Sequence, residues 1–143
     1  MAQVRSIQGV SYRKLPRVRT RTALIVDDHA EFRALARTIV EGAGLEVVAE
    51  VADGEAALAA AADTNPDVVL LDVRLPGLDG IAIAELLAVR RSPPAVVLTS
   101  STDAASYGKR LLAAPVRGFI AKERLTTRAL AELLALEPRP ALG

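Results

Sequence analysis

The stretch that decides the fold is Val68-Val69-Leu70-Leu71-Asp72, four branched apolar residues that end in a carboxylate. Because both alternating positions are apolar, the run is typical of a strand buried on both faces, as in a parallel sheet covered by helices. Ligands of open α/β sheets bind at the carboxyl ends of the strands, which is where Asp72 lies. An isolated aspartate could equally cap a turn, so the rest of the chain has to decide between these interpretations.

Four further short apolar runs alternate with helical patterns. We predict strands at residues 22–26, 46–51, 68–72, 95–98 and 117–121, and helices at residues 30–43, 55–63, 80–90, 103–114 and 125–136. Asp53 and Asp79 are the expected N-caps of the second and third helices. The fourth helix has the weakest pattern because Gly108 lies inside it. The alternation predicts a doubly wound α/β domain with a five-stranded parallel sheet.

The composition excludes several classes of protein. The 143 residues, half of them hydrophobic, suffice for one domain with a sizeable core, and the absence of cysteine rules out disulfides and thiolate metal sites. No apolar run approaches the roughly 18 residues of a membrane span, and the N-terminus lacks the apolar core of a signal peptide. We therefore expect a soluble, cytoplasmic protein without a membrane partner.

The charge is distributed unevenly. Residues 1–21 carry six basic side chains and no acid, whereas the remaining chain has a net charge of −5. Residues 1–21 show no helical or strand pattern, so we expect a basic, disordered extension, with binding of nucleic acid as the functional alternative. Residues 137–143 also lack a pattern and are expected to form an unstructured tail.

The polar residues that follow the strands form a set. Asp27 and Asp28 follow the first strand, Asp72 ends the third, Thr99 follows the fourth and Lys122 the fifth. In a parallel sheet these ends share one edge, where three carboxylates would repel one another unless they share a cation. Hard oxygen ligands beside water suit Mg²⁺, and a lysine with a hydroxyl would complement a phosphoryl group.

This set resembles the receiver domain of response regulators in two-component signalling, over about residues 22–136. The matching segments are ALIVDDHAEFR (23–33), VVLLDVRLPGLDG (68–80), AVVLTSS (95–101) and GFIAKE (118–123). The resemblance implies a flavodoxin-like (βα)5 fold in three layers. The DDHAEFR segment and the Lys122-Glu123 pair are most similar to receivers of LuxR-type regulators, which carry a helix-turn-helix output domain.

The resemblance also implies roles for individual residues. Asp72 is implied as the phospho-acceptor, with a histidine kinase or phosphotransfer protein as donor. Mg²⁺ would be held by Asp28 directly, by Asp27 partly through water, by Asp72 and by the backbone carbonyl of Arg74. Lys122 would pair with the phosphoryl group.

A conformational switch is implied as well. Thr99 is the expected switch hydroxyl and Phe119 the switch aromatic, which would change the surface formed by the fourth helix, fifth strand and fifth helix. Phe119 could equally be a static core residue. That surface would control a downstream protein target or an output domain that binds nucleic acid, and a homodimer is a further expectation.

Some features depart from the usual pattern or leave alternatives open. Glu123 stands where many receivers have proline, and only seven residues follow the last predicted helix, which suggests a stand-alone receiver or part of a longer regulator. His29 is expected to be a first-turn helix residue, with a role in metal or partner binding as the alternative.

Two rival functions are a phosphorylation-independent binding module and a Mg²⁺-dependent phosphatase of the haloacid dehalogenase type. The phosphatase class normally has a second aspartate two residues after the nucleophile, where this chain has Arg74. We therefore expect no enzyme beyond self-catalysed phosphotransfer and autodephosphorylation.

Overall fold

The computed structural model describes residues 4–7, 10–13, 19–101 and 104–136 of the chain, with side chains in residues 19–101 and 105–136. Its strands are Val4–Ile7 (β1), Val10–Arg13 (β2), Thr22–Val26 (β3), Glu46–Val51 (β4), Val68–Asp72 (β5), Ala95–Ser100 (β6) and Gly118–Ala121 (β7). The last five form one parallel sheet in the order β4-β3-β5-β6-β7. This is the flavodoxin-like order, with β5 at the centre and all its residues buried.

The helices cover both faces of this sheet. They are Ala30–Gly42 (α1), Gly54–Thr64 (α2), Gly80–Ala88 (α3), Gly108–Ala113 (α4) and Thr127–Leu133 (α5), with short 3-10 segments at Ala104–Tyr107 and Lys122–Arg124. The packing on one face comes from α1 and α5, and on the other from α2, α3 and α4. The predicted doubly wound, three-layer α/β fold is therefore confirmed.

The central strand shows why its sequence has no polar alternation. Val68 and Leu70 belong to the core cluster under α1 and α5, whereas Val69 and Leu71 belong to the cluster under α2 and α3. Each face of β5 thus requires apolar side chains, and only its last residue, Asp72, reaches the edge of the sheet. This continuous apolar run is what a covered parallel sheet demands.

Local capping fixes the ends of several helices. The carboxylates of Asp53 and Asp79 accept hydrogen bonds from the amides of Ala56 and Ala82, each at 2.8 Å, so both predicted N-caps are confirmed. The hydroxyl of Thr126 accepts from the Ala129 amide at 3.0 Å. This cap starts α5 two residues later than the apolar pattern predicted, after the 3-10 turn.

Two other boundaries differ from the prediction for physical reasons. The fourth helix is interrupted, because Gly108 adopts a left-handed conformation (φ 58°) between the 3-10 segment and α4. Strand β6 continues through Thr99 and Ser100, which pair with Ile120 and Ala121 of β7. Because these two side chains are polar, the apolar pattern predicted that the strand ends at residue 98.

Part of the N-terminal segment also differs from the prediction. Residues 1–21 were expected to lack strands, but β1 and β2 pair antiparallel, with Val4 opposite Arg13 and Ile7 opposite Val10. The spacing of two valine-led runs by two residues is the hairpin signal that the basic composition obscured. The expectations for residues 1–3, 8–9, 14–18 and 137–143 lie outside the described residues. In the described part of the chain, none of the helices combines the length and the apolar character that crossing a membrane requires.

The two neighbouring leucines of α3 give a matched test of which face packs on the sheet. Leu87 is completely buried, whereas Leu86 is 46% exposed. We expect Leu87→Ala to lower the free energy of unfolding by about 3 kcal/mol, because it removes buried methyl groups and leaves a cavity. Leu86→Ala should cost less than about 1 kcal/mol. Urea denaturation of both variants checks this, and equal losses would show that the helix is rotated.

Candidate functional site

The register of the strands gathers the polar residues at one edge of the sheet. Asp72 of β5 lies opposite Thr99 of β6, and Leu71 of β5 lies opposite Val26, the last residue of β3, so that Asp27 lies at the level of Asp72. The amide of Asp27 donates to the carbonyl of a β4 residue at 3.0 Å, which extends the strand ladder to this point. Parallel pairing therefore aligns these side chains without any dedicated loop.

Lys122 reaches this edge from the strand on the other side. It follows Ala121, the partner of Ser100, and its ammonium nitrogen lies 2.6 Å from Asp27 Oδ2 and 3.2 Å from Asp72 Oδ2. The contact to Asp72 is a hydrogen bond, whereas that to Asp27 is a close ion pair without hydrogen-bond alignment. One positive charge is thus shared between two carboxylates that are almost completely buried.

Burial and charge act in opposite directions on these groups. Burial raises the pKa of Asp72, although the hydrogen bond from the Arg74 amide (3.0 Å) and the charge of Lys122 oppose the rise. Burial by itself would lower the pKa of Lys122, but its contacts with Asp27 and Asp72 outweigh this and raise the pKa. Lys122 is therefore held in its charged form, in which it compensates the negative charge of the buried carboxylates.

A second group of ligand atoms lies beside the lysine. The Nδ1 atom of His29 is 3.1 Å from Asp27 Oδ1 and 3.1 Å from Asp28 Oδ1. Asp27, Asp28, His29 and Asp72 each offer one atom, and these four atoms lie within 4.8 Å of one another. The carboxylate oxygens fit a hard divalent cation such as Mg²⁺, and the exposure of Asp28 leaves room for the waters that Mg²⁺ retains.

The loop after β5 is shaped to hold Asp72. The amide of Gly80 donates to the carbonyl of Val73 at 2.8 Å, which folds the loop back onto the strand end. A Cβ atom on Gly80 would lie 2.2 Å from the carbonyl oxygen of Asp72 and 2.8 Å from Val73 Cα. Only glycine permits this approach, which explains the Asp79-Gly80 pair.

A groove of about 400 Å³ runs from the carboxylate edge towards α4. It is lined by Asp28, Val73, Arg74, Leu75, Asp79, Tyr107 and Arg110. Arg110 of α4 forms an ion pair with Asp79 (2.9 Å), and the hydroxyl of Tyr107 lies 2.7 Å from the Ser100 hydroxyl. These two contacts connect the region of α4 to the loop after β5 and to β6.

The sequence predicted the groups that meet at the edge, but not all of their neighbours. Asp27, Asp28, Asp72 and Lys122 come together as described, and the hydroxyl-bearing Thr99 is buried next to Asp72 in the strand register. Metal ligation by the Arg74 carbonyl stays a prediction. So does the switching role of Phe119, which is half-buried and packs against the core under α2, α3 and α4.

Several contributing residues were missed. The ring of Phe32 lies 4.4 Å from the Lys122 ammonium, in cation–π geometry. The guanidinium of Arg33 donates to the carbonyl of Asp27 at 2.7 Å. Both residues lie in the first turn of the helix that follows the acidic pair, and that position was the available signal. Tyr107 and Arg110 act across elements, so no local pattern indicates them.

Replacing Lys122 tests whether the lysine stabilises the acidic edge. We expect Lys122→Met to lower the free energy of unfolding by about 2 kcal/mol, below the roughly 3–5 kcal/mol of fully buried pairs because the lysine is partly exposed. The loss arises because Asp27 and Asp72 would be left without a counter-charge. Thermal or urea unfolding at neutral pH and low salt is the measurement. The exposed Lys109→Met is the matched control, and equal effects of the two changes would contradict the inference.

Comparison with known proteins agrees with this geometry. The sequence profile of the response regulator receiver domain matches residues 23–134. The receiver domain of NarL from Mycobacterium tuberculosis superposes with a TM-score of 0.69 at 30% identity, covering 80% of this chain and 97% of that one. Both matches cover the parallel sheet with its acidic edge and the helices that pack on it.

Two curated relatives differ in what accompanies the matched region. The DNA-binding transcriptional activator EvgA of Escherichia coli is 32% identical over 101 residues, which are 71% of this chain and 50% of EvgA. A protein-glutamate methylesterase/protein-glutamine glutaminase of Anaeromyxobacter dehalogenans is 42% identical over 116 residues, which are 76% of this chain and 33% of the relative. The chain thus spans between a third and a half of these relatives.

The profile match extends over most of the chain, from the first residues of β3 to the end of α5. Domains of this type bind Mg²⁺ at an acidic pocket and are in general not enzymes by themselves. The acidic edge, the lysine and the flavodoxin-like strand order occur together here, as the resemblance implied. The chain belongs to the response regulator receiver domain family of two-component signalling proteins.

Proposed function

We propose that this chain is a phospho-accepting receiver in which Asp72 takes a phosphoryl group from a histidine kinase or phosphotransfer protein. The observation that carries this proposal is the position of Lys122, whose ammonium contacts both Asp27 and Asp72 at the open edge of the sheet. A nucleophilic carboxylate, a cation beside it and an accessible groove are the groups that phosphoryl transfer requires.

The proposed transfer is an in-line displacement. A carboxylate oxygen of Asp72 forms a bond to the phosphorus of a phosphohistidine, while the phosphorus–nitrogen bond breaks and its electron pair leaves with the imidazole. Asp27, Asp28, Asp72 and the carbonyl of Arg74 would hold Mg²⁺, which when bound would neutralise charge on the phosphoryl oxygens. The hydrogen bond from the Arg74 amide orients the Asp72 carboxylate for this attack.

The product redistributes charge around Lys122. The acyl phosphate carries about two negative charges, so its oxygens attract the ammonium more strongly than a single carboxylate does. Lys122 lies within 3.2 Å of Asp72 Oδ2 and needs only a short movement to bind the phosphoryl group. Thr99, the register partner of Asp72, donates its hydroxyl to another of these oxygens in the proposed phosphorylated state.

The switch proceeds from Thr99 to the surface of α4, β7 and α5. Movement of Thr99 leaves space for the ring of Phe119, which is half-buried on the next strand. Ser100 transmits the same movement to Tyr107 through their 2.7 Å contact. Among the described residues of α4 none is fully buried, so the helix has few apolar contacts that resist displacement.

The output lies in what this surface contacts. We propose a domain organisation of a basic extension at residues 1–21, the receiver at residues 22–136 and a tail at residues 137–143. EvgA is a DNA-binding activator, and the match covers 50% of its length. The proposed target is therefore an output that binds nucleic acid, in the same protein or in a partner. Homodimerisation and a cytoplasmic location complete the proposal.

Phosphorylation of Asp72 can be tested directly with a small phosphodonor. Incubation with acetyl phosphate and Mg²⁺ should add one phosphoryl group to the intact protein, measured by mass spectrometry. Chelation of Mg²⁺ should abolish most of the gain, because the charge on the transferring group is then not neutralised. Asp72→Ala should remove the gain completely.

The exposed Asp63→Ala is the control, since it changes the same residue type on α2. A gain that persists in Asp72→Ala, or no gain in the unchanged protein, would refute the phospho-acceptor assignment and favour a phosphorylation-independent binding module. Continuous release of inorganic phosphate without a phosphorylated protein would indicate a phosphatase instead.

The switch can be tested separately from phosphorylation. We expect phosphorylation to change amide hydrogen exchange at residues 104–121 in the unchanged protein, because the start of α4 is displaced. Thr99→Ala should still gain the phosphoryl group but lose most of this exchange change. Thr64→Ala, a threonine at the end of α2, is the control. An undiminished exchange change in Thr99→Ala would disprove the proposed route.

A further inference from the structure

His29 occupies the N-cap position of α1 without capping the helix. It has the extended backbone of an N-cap residue (φ −100°, ψ 111°), but its side chain makes no cap hydrogen bond. The usual N-cap residues are Ser, Thr, Asp and Asn, whose oxygens accept from the first helical amides. The imidazole is turned instead towards the acidic pair that precedes it.

The distances around this ring match those of a coordination shell. Octahedral bonds of about 2.1 Å place neighbouring ligand atoms about 3.0 Å apart and opposite ligand atoms about 4.2 Å apart. His29 Nδ1 lies 3.1 Å from Asp27 Oδ1 and 3.1 Å from Asp28 Oδ1. Together with a carboxylate oxygen of Asp72, all four atoms lie within 4.8 Å, so small side-chain adjustments suffice to place a cation among them.

The lysine does not contact the carboxylate oxygens that face His29. Lys122 contacts the Oδ2 atoms of Asp27 and Asp72, whereas His29 faces the Oδ1 atoms of Asp27 and Asp28. The side of the cluster that His29 forms is also open to solvent, since the side chain of His29 is 68% exposed. A cation at the oxygens that face His29 would therefore leave the contacts of Lys122 with the Oδ2 atoms in place.

We propose that His29 Nδ1 is a direct ligand of the divalent cation at this edge, so that the site binds borderline cations such as Ni²⁺ and Co²⁺ preferentially to Mg²⁺. The proposal rests on the metal site of the proposed function and adds its cation preference. Carboxylate oxygens alone favour hard cations such as Mg²⁺, whereas an imidazole nitrogen favours nickel, iron, copper and zinc. A site with both ligand types would respond to the supply of these metals.

The composition of the chain makes the assignment testable. His29 is its only histidine, and the chain has no cysteine, so an imidazole ligand from this protein can come from no other residue. The protein must be prepared without a histidine tag. Binding of Ni²⁺ and Mg²⁺ is then measured by isothermal titration calorimetry for the unchanged protein, for His29→Ala and for Glu31→Ala, an exposed acid in the same helical turn.

Loss of a direct ligand should reduce affinity at least as much as loss of an outer-shell partner, so His29→Ala should lower the ratio of Ni²⁺ to Mg²⁺ affinity by about tenfold or more. Glu31→Ala should leave this ratio close to that of the unchanged protein. In the nuclear magnetic resonance spectrum, Co²⁺ should shift the ring resonances of the single histidine strongly. The contact part of these shifts passes through bonds and arises only when the ring is bonded to the metal, whereas an unbound ring nearby shows through-space shifts alone.

An unaltered affinity ratio in His29→Ala, or histidine resonances that Co²⁺ leaves in place, would overturn the proposal. In that case His29 only hydrogen-bonds the carboxylates. Phosphorylation of Asp72 with Mg²⁺ in the unchanged protein would still support the proposed function, whereas its absence would refute that function independently of the nickel result.

Discussion

The ion pair that joins Lys122 to two buried carboxylates is the interaction on which the rest of this structure depends. Asp27 and Asp72 end neighbouring strands, and their charges could not be buried side by side without a shared cation. The lysine supplies it from the end of β7, with β5 and β6 lying between it and the strand that precedes Asp27. Three strand ends and one basic side chain therefore meet at this edge. The carboxylates there carry more negative charge than the lysine neutralises.

This remaining negative charge is also the basis of the proposed response to a cation and a phosphoryl group. A divalent cation and a phosphoryl group both change the charge that Lys122 experiences, and the lysine is held charged by the same carboxylates. The cation–π contact with Phe32 and the bond from Arg33 to the Asp27 carbonyl tie this edge to the first turn of α1. A change of charge at this edge therefore acts on the first turn of α1 as well as on the strands.

The two faces of the sheet are secured differently. On one face α1 and α5 pack closely, and Thr127 donates to the carbonyl of Ile39 at 3.1 Å to join them. On the other face α4 is short, begins at a left-handed glycine, has no fully buried side chain among its described residues and is joined to the loop after β5 by the Arg110–Asp79 ion pair. Polar contacts at a surface cost little to exchange, so movement is expected in α4 rather than in α1.

The sequence by itself determined the class of the fold, the strand that carries Asp72 and the identity of the acidic edge. These follow from local rules: apolar runs on both alternations, aspartate caps before helices and polar residues where strands end. Tertiary structure alone decided which atoms meet, because the pairing of Lys122 with Asp27 depends on the strand order, which no local pattern records. It also decided the contact of Tyr107 with Ser100, since this contact depends on how the segment after β6 folds back onto the end of that strand. The orientation of the His29 ring belongs to the same category, because a residue at a helix start can face either the helix or the preceding carboxylates.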